Sequence, residues 1–181
     1  YEASVREMVS AYTAFANHGI RSAALFVTKI EDSNGDVIAN FQPQMKEVIS
    51  EENSYRMIDM LKAVVDHGTG ARMRSRYNVT CEMGGKTGTT NDNSDGWFIG
   101  FTPRLVCGGW VGGEDRDIHF DSGGIGQGAS MALPIWAYFM KKVLADSSLG
   151  YNENDKFDIP EDFNPCGNED LGMNGIDEVY E

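Results

Sequence analysis

The stretch from residue 83 to residue 111 constrains the fold more than any other. It holds three β-prone runs, at 83–90, 97–102 and 105–111. Asn91-Asp92-Asn93-Ser94-Asp95-Gly96 turns the first into the second, and Pro103-Arg104 turns the second into the third. A parallel pair needs a crossover of a dozen or more residues, and these links are far shorter. The three runs are therefore expected to pair as an antiparallel meander.

The remaining pattern supplies helices to cover that sheet. Ser4-Val5-Arg6-Glu7 reads as a capping box. Val5, Met8, Val9, Tyr12, Phe15 and Ala16 then recur at helical spacing, and Gly19 can take the left-handed conformation that ends a helix. Runs at 25–30 and 37–41 flank Asp32-Ser33-Asn34-Gly35-Asp36, a hairpin signal. Ser50-Glu51-Glu52 opens a second helix, with acids at its positive end. Its apolar stripe is Met57, Ile58, Leu61, Val64 and Val65, and Gly68 stops it. Residues 69–80, with Arg72, Arg74 and Arg76, are expected to form a solvated loop. Residues 122–128 also read as loop, because four of the seven are glycine. Pro134 fits the first turn of a last helix, whose apolar face is Ile135, Trp136, Phe139, Met140, Val143 and Leu144. The expected class is α+β: an antiparallel sheet of about three core strands plus a small hairpin, packed by helices. The expected domain runs from 1 to 146.

Charge narrows the function classes. The formal net charge is −13, and residues 151–181 hold ten of the acids against one lysine, Lys156. Nucleic-acid binding needs clustered Lys and Arg, so a nucleic-acid partner is not expected. Residues 147–181 read as an acidic, mostly extended and partly disordered tail. No apolar run is long enough to span a membrane, and the first residues do not form a signal peptide. The chain does not begin with Met, so a longer protein is expected. Cys81, Cys107 and Cys166 form no CxxC pair, and Cys107 reads as a buried structural thiol. His18, His67 and His119 have no metal spacing and are expected at the surface. Neither a metal nor a cofactor is expected.

The segment that carries chemistry is Gly84-Gly85-Lys86-Thr87-Gly88-Thr89-Thr90. A strand presents alternate side chains to one face, so Thr87 and Thr89 point together and Lys86 points away. Gly88 lets a ligand backbone approach. On an edge strand the free amides can pair with an extended peptide, and the Thr89 amide can serve as an oxyanion donor. Such a site would hold a carboxylate beside an acyl centre. The other reading is an ordinary glycine-bearing strand with a solvated lysine. A P-loop would need Gly where the chain has Thr80, and a helix starting at the lysine. An EF-hand loop starting at Asn91 lacks Asp at its first position and has Thr102 where Glu is required.

The wider context of this segment resembles a known family. Lys86 to Asp92, then Ser94-Asp95-Gly96-Trp97-Phe98-Ile99-Gly100-Phe101-Thr102-Pro103 and Trp110-Val111-Gly112, is similar to the C-terminal half of a penicillin-binding protein of the class A, bifunctional kind. Ala11-Tyr12 with Phe15-Ala16-Asn17, Val64-Val65 with Gly68-Thr69-Gly70-Ala71, and Ala132-Leu133-Pro134-Ile135-Trp136 extend the likeness over roughly 3–145. The family uses three motifs: S-x-x-K, S-x-N and K-T-G. None of the twelve serines has Lys three positions on or Asn two positions on. The nucleophile and the second motif are therefore absent from this chain, and the third motif is present.

The resemblance implies a truncated β-lactamase/transpeptidase-like fold. It implies a longer protein that cross-links peptidoglycan stem peptides by acyl transfer and is trapped by β-lactams. That protein would carry a glycosyltransferase domain and a membrane anchor, and would work in the periplasm, outside the inner membrane. By position, Lys86 would supply positive charge and a proton relay. The Thr87 and Thr89 hydroxyls would hold the substrate carboxylate, Gly88 would admit the substrate, and the Thr89 amide would complete an oxyanion hole. The chain by itself is expected to be inactive and to dimerise or exchange strands through faces left uncovered. A non-catalytic interaction module with an acidic docking tail is the alternative.

Overall fold

The computed structural model describes residues 3–165. In chain order it has helix α1 (Val5–Ala16), strands β1 (Ile20–Ser22), β2 (Lys29–Glu31), β3 (Val37–Asn40) and β4 (Met45–Glu47), then helix α2 (Glu51–Asp66) and the short helix α3 (Arg72–Ser75). Strands β5 (Gly84–Thr89), β6 (Asp95–Phe101) and β7 (Val106–Gly112) follow, with the short helix α4 (Gly123–Gly126) and the long helix α5 (Gly128–Ala145).

The meander is present as expected: β5, β6 and β7 form one antiparallel sheet in that order. Its two faces are set by strand alternation. Phe98 points to the α5 side, where its ring meets Trp136 edge-on at 5.6 Å. Phe101 points to the other side, against Tyr12 and Phe15 of α1. Two cores result. One gathers Met73, Met83, Phe98, Leu133, Trp136 and Met140, and the other gathers Tyr55, Ile58, Leu61, Phe101 and Phe157. Trp136 is fully buried, and its indole N–H donates to the carbonyls of Cys107 and Gly100. A buried indole is stable only when its N–H is paired in this way.

The helix starts follow the local chemistry. Ser4 and Glu7 make the full capping box, with the Ser4 amide donating to Glu7 at 2.9 Å. Ser50 caps α2 through the Asn53 amide. Gly19 has φ +88°, and a side chain there would overlap the Ile49 carbonyl.

Four expectations are corrected and one pairing is added. The run at 25–30 is strand only from Lys29, so the hairpin β2–β3 is shorter than its apolar residues suggest. A second two-stranded pairing, β1 with β4, carries no alternation in sequence because each strand has three residues. Residues 69–80 are not a solvated loop. Met73 and Val79 are buried, and Arg74 turns inward to Asp66 and to the carbonyls of Val79 and Cys81. Residues 122–128 are not all loop, since Ser122 caps the turn α4 and Gly128 already belongs to α5. Finally, Pro134 lies inside α5, six residues beyond its first residue. Proline in a helix interior costs about 3 kcal/mol. The earlier start is held by the burial of Gly128, Ala132 and Leu133 against the sheet.

Residues 150–165 carry no helix or strand, but they pack against the body. Phe157 is buried against Phe101, and Phe163 meets Tyr55 edge-on. The Arg104 guanidinium donates to the Gly150 carbonyl, and the Phe157 amide donates to Glu82. Glu82 also pairs with Lys62. The rest of the expected tail, with Cys166, lies outside the described residues.

Candidate functional site

The Lys86-Thr87-Gly88-Thr89 segment lies wholly within β5, in extended backbone. Among the described residues β5 is an edge strand: it pairs with β6 on one side and with no strand on the other. The hydrogen-bond phase shows which of its backbone groups reach that open edge. The Thr90 amide donates to the Asp95 carbonyl at 3.1 Å, and these two residues continue the register in which Thr89 faces Gly96. Bonded and non-bonded pairs alternate along an antiparallel ladder. Gly88 with Trp97 and Lys86 with Ile99 are therefore bonded pairs. Gly85, Thr87 and Thr89 turn their N–H and C=O groups to the open edge. The Lys86 ammonium agrees with this phase, donating to the Thr87 carbonyl at 2.7 Å.

The side chains separate by face. Lys86 is exposed and stands over the α1 side. A cleft of about 350 Å³ opens there, lined by Met8, Tyr12, Lys86, Gly88, Trp97 and Ile99. Thr87 and Thr89 share the opposite face, as alternation requires, but both hydroxyls already have partners. Thr87 is buried with its hydroxyl 2.7 Å from that of Thr69. Thr89 is exposed, and its hydroxyl accepts from the Gly128 amide at 3.0 Å. Thr87 and Thr89 thus point together as expected, but the turn after α2 covers that face at Thr87 with Thr69.

Two residues overlooked in the sequence hold this strand. Thr69 lies in Gly68-Thr69-Gly70, within the segment expected to be loop. Gly128 starts α5 against the β5–β6 ladder, where a side chain would overlap the carbonyls of Gly88 and Trp97. Thr89 therefore serves as a cap from outside the helix, satisfying one of the amides a helix start leaves unpaired.

The other candidates are structural or peripheral. Burial pushes the Cys81 and Cys107 thiols up, the opposite of what a thiolate nucleophile needs. His18 approaches Tyr55 and Glu51, and His119 lies 4.0 Å from Asp121. No group of three metal-ligating side chains occurs among the described residues. No helix among them is long and apolar enough to cross a membrane.

Comparison with known proteins places this geometry in context. The family model described as the penicillin binding protein transpeptidase domain matches residues 1–106. Penicillin-binding protein 1A from Aquifex aeolicus is 36% identical over 159 residues, which is 88% of this chain and 20% of that protein. The chain thus spans about a fifth of the length of the curated relatives it matches. Among solved structures, penicillin-binding protein 1A from Haemophilus influenzae is similar in fold, with a TM-score of 0.75 at 24% identity, covering 88% of this chain and 28% of that one. Penicillin-binding protein A from M. tuberculosis, solved as an imipenem acyl-enzyme complex, has a TM-score of 0.57 at 15% identity, covering 77% of this chain and 31% of that one.

Proposed function

The chain belongs to the penicillin-binding protein transpeptidase domain family, and on that premise we propose that β5 is the wall on which a peptidoglycan D,D-transpeptidase lays its substrate. The observation that carries this reading is the edge position of β5, with the Thr87 and Thr89 backbone facing outward and Lys86 beside them. An extended stem peptide gains main-chain hydrogen bonds by adding to such an edge. Gly88 leaves room for it. Lys86 places a cation where the substrate carboxylate ends and where a proton must be moved. The Thr89 amide donates to the acyl oxygen as negative charge develops there. Thr89, fixed by the α5 start, lies at the carboxylate end, and Thr87, held by Thr69, fixes the strand behind it.

The reaction is acyl transfer through a serine ester, which divides one difficult amide exchange into two steps. A β-lactam imitates the donor, as the imipenem complex of the M. tuberculosis relative illustrates. The 181 residues hold no S-x-x-K. The serine therefore comes from elsewhere in a longer protein that works at the outer face of the inner membrane. This chain alone binds but does not acylate. Phe26 and Ile38 on the β2–β3 arm are largely exposed, which supports self-association of the isolated chain.

Labelling with a fluorescent penicillin tests the reading. The full-length gene product is expected to take a covalent label, and Lys86→Ala in it to slow labelling about 10²-fold, within the range for a lost proton-transfer group. The present chain is expected to take none. Saturable covalent labelling of this chain, or normal labelling of the full-length Lys86→Ala variant, would overturn it.

A further inference from the structure

The first two residues of β5, Gly84 and Gly85, bring no side chain to either core. Rings from β6 take that space, as glycine in a strand permits. The Phe101 Cζ lies 2.7 Å from where a Gly84 Cβ would stand, and the Phe98 Cζ lies 2.8 Å from that of Gly85. Phe98 is backed by Trp136 of α5. On the other face, part of the backing for Phe101 comes from beyond the last helix: the Phe157 ring meets it edge-on at 5.6 Å.

A second hold lies at Glu82, two residues ahead of the strand. Its side chain is only 15% exposed. One oxygen, Oε1, pairs with Lys62 of α2. The other, Oε2, accepts from the Phe157 amide at 3.2 Å and lies 3.9 Å from the Lys156 ammonium. A carboxylate so enclosed needs donors on both oxygens. Phe157 therefore holds the entry of β5 twice, by its amide at Glu82 and by its ring behind Gly84.

The segment that carries Phe157 is clipped to the body along its length. Arg104, in the β6–β7 link, donates to the Gly150 carbonyl at 2.6 Å and stands over the Tyr151 ring at 5.5 Å. The Thr80 hydroxyl meets Glu153 at 3.5 Å. Ile159 and Phe163 then join the core around Tyr55. Two of these anchors, Thr80 and Glu82, lie on the chain leading into β5, and a third, Phe101, faces Gly84 in register.

The strand transmits what happens at its entry. Gly84 and Lys86 share a face by alternation, and four residues, roughly 13 Å of extended chain, separate Glu82 from Lys86. No neighbour among the described residues steadies the open edge. A reacting group displaced by about 1 Å can lose roughly 10²-fold in rate.

We infer that residues 150–163 are a positioning strap for β5, with Glu82 and Phe157 as its positioning residues. The inference rests on the reading of β5 as the substrate wall. It makes the C-terminal segment a means of control: whatever lifts the strap loosens Lys86 and the Thr89 amide from behind, without touching the substrate edge.

The test is the rate at which the full-length gene product takes a fluorescent penicillin, per folded molecule. Phe157→Ala and Glu82→Ala are each expected to slow labelling about tenfold, and Phe157→Leu to restore most of the rate. The loss should fall on the rate at saturating penicillin, with the half-saturating concentration little changed. Val143→Ala, buried in the α5 core, is the stability control. It should lower the unfolding midpoint and leave the labelling rate unchanged. In the present chain, Phe157→Ala should speed amide exchange at Lys86 and Gly88 while the β7 amides hold. Normal labelling of both alanine variants, or unchanged exchange in β5, overturns the strap and leaves the strand reading standing. Equal slowing by Val143→Ala reduces the effect to stability and overturns the strap as well. No labelling of the unaltered full-length protein overturns the reading of β5 itself.

Discussion

The β5–β7 sheet and the arm formed by β1 to β4 are both antiparallel and both short, yet they are stabilised in opposite ways. The sheet is covered on each face: Phe98 packs on Trp136 of α5, and Phe101 packs on Tyr12 and Phe15 of α1. The arm is covered on little of its surface. Phe26 is 79% exposed and Ile38 is 67% exposed. The sheet thus holds the Lys86–Thr89 edge rigid, whereas the arm contributes apolar surface to whatever it meets. The difference teaches that strand pairing alone does not position a site. Helices on both faces do.

The largest effect expected from this comparison is at Trp136. Trp136→Ala removes a fully buried ring and the N–H that satisfies two carbonyls. It should cost about 3–5 kcal/mol, read by urea denaturation, while Ile38→Ala on the arm should change stability by less than about 0.5 kcal/mol. Equal losses would erase the distinction. Next is Gly128→Ala, which drives a methyl into the Gly88 and Trp97 carbonyls. It should cost roughly 1–3 kcal/mol by overpacking, and the Thr89 amide resonance should move because its hydroxyl caps α5. Thr69→Val leaves the buried Thr87 hydroxyl without its partner. A loss of about 1–2 kcal/mol is expected, with Thr69→Ser restoring most of it. If valine is tolerated, the clamp on β5 lies elsewhere.

A further effect, confined to alkaline pH, is a pH dependence behind the sheet. The Tyr55 phenol donates to Glu51 at 2.6 Å, and this bond, with burial, pushes its pKa up to about 12. The folded state therefore favours the protonated phenol. That stability is fully present below the ordinary tyrosine value near 10 and is lost as pH rises from there through about 12. Tyr55→Phe should remove this alkaline loss, so the two stability curves should converge above pH 10. Parallel curves would show that the Glu51 bond does not distinguish the states.

Much of the sheet was legible because its links are too short for any other pairing, and because Ser4 and Glu7, like Ser50, announce where the covering helices begin. The edge position of β5 was open, since sequence shows neighbours in order but not which side stays uncovered. Arg74 looked solvated because its partners Asp66, Val79 and Cys81 come together only after α2 turns. Strands of three residues, β1 and β4, are too short to alternate. The start of α5 was hidden because glycine lowers helix propensity, and only the contact with the β5–β6 ladder makes Gly128 the better residue. At the site, alternation placed Thr87 and Thr89 on one face correctly. What covers that face is a tertiary fact, and Thr69 supplied it.

Amide hydrogen exchange along β5 tests the central claim most directly. In the free chain the amides of Lys86 and Gly88 should be protected, while those of Thr87 and Thr89 exchange faster. Adding Nα-acetyl-Lys-D-Ala-D-Ala should slow Thr87 and Thr89 selectively. Protection of Thr87 and Thr89 before any peptide is added, or no change when it is, would contradict an open edge that takes up an extended substrate.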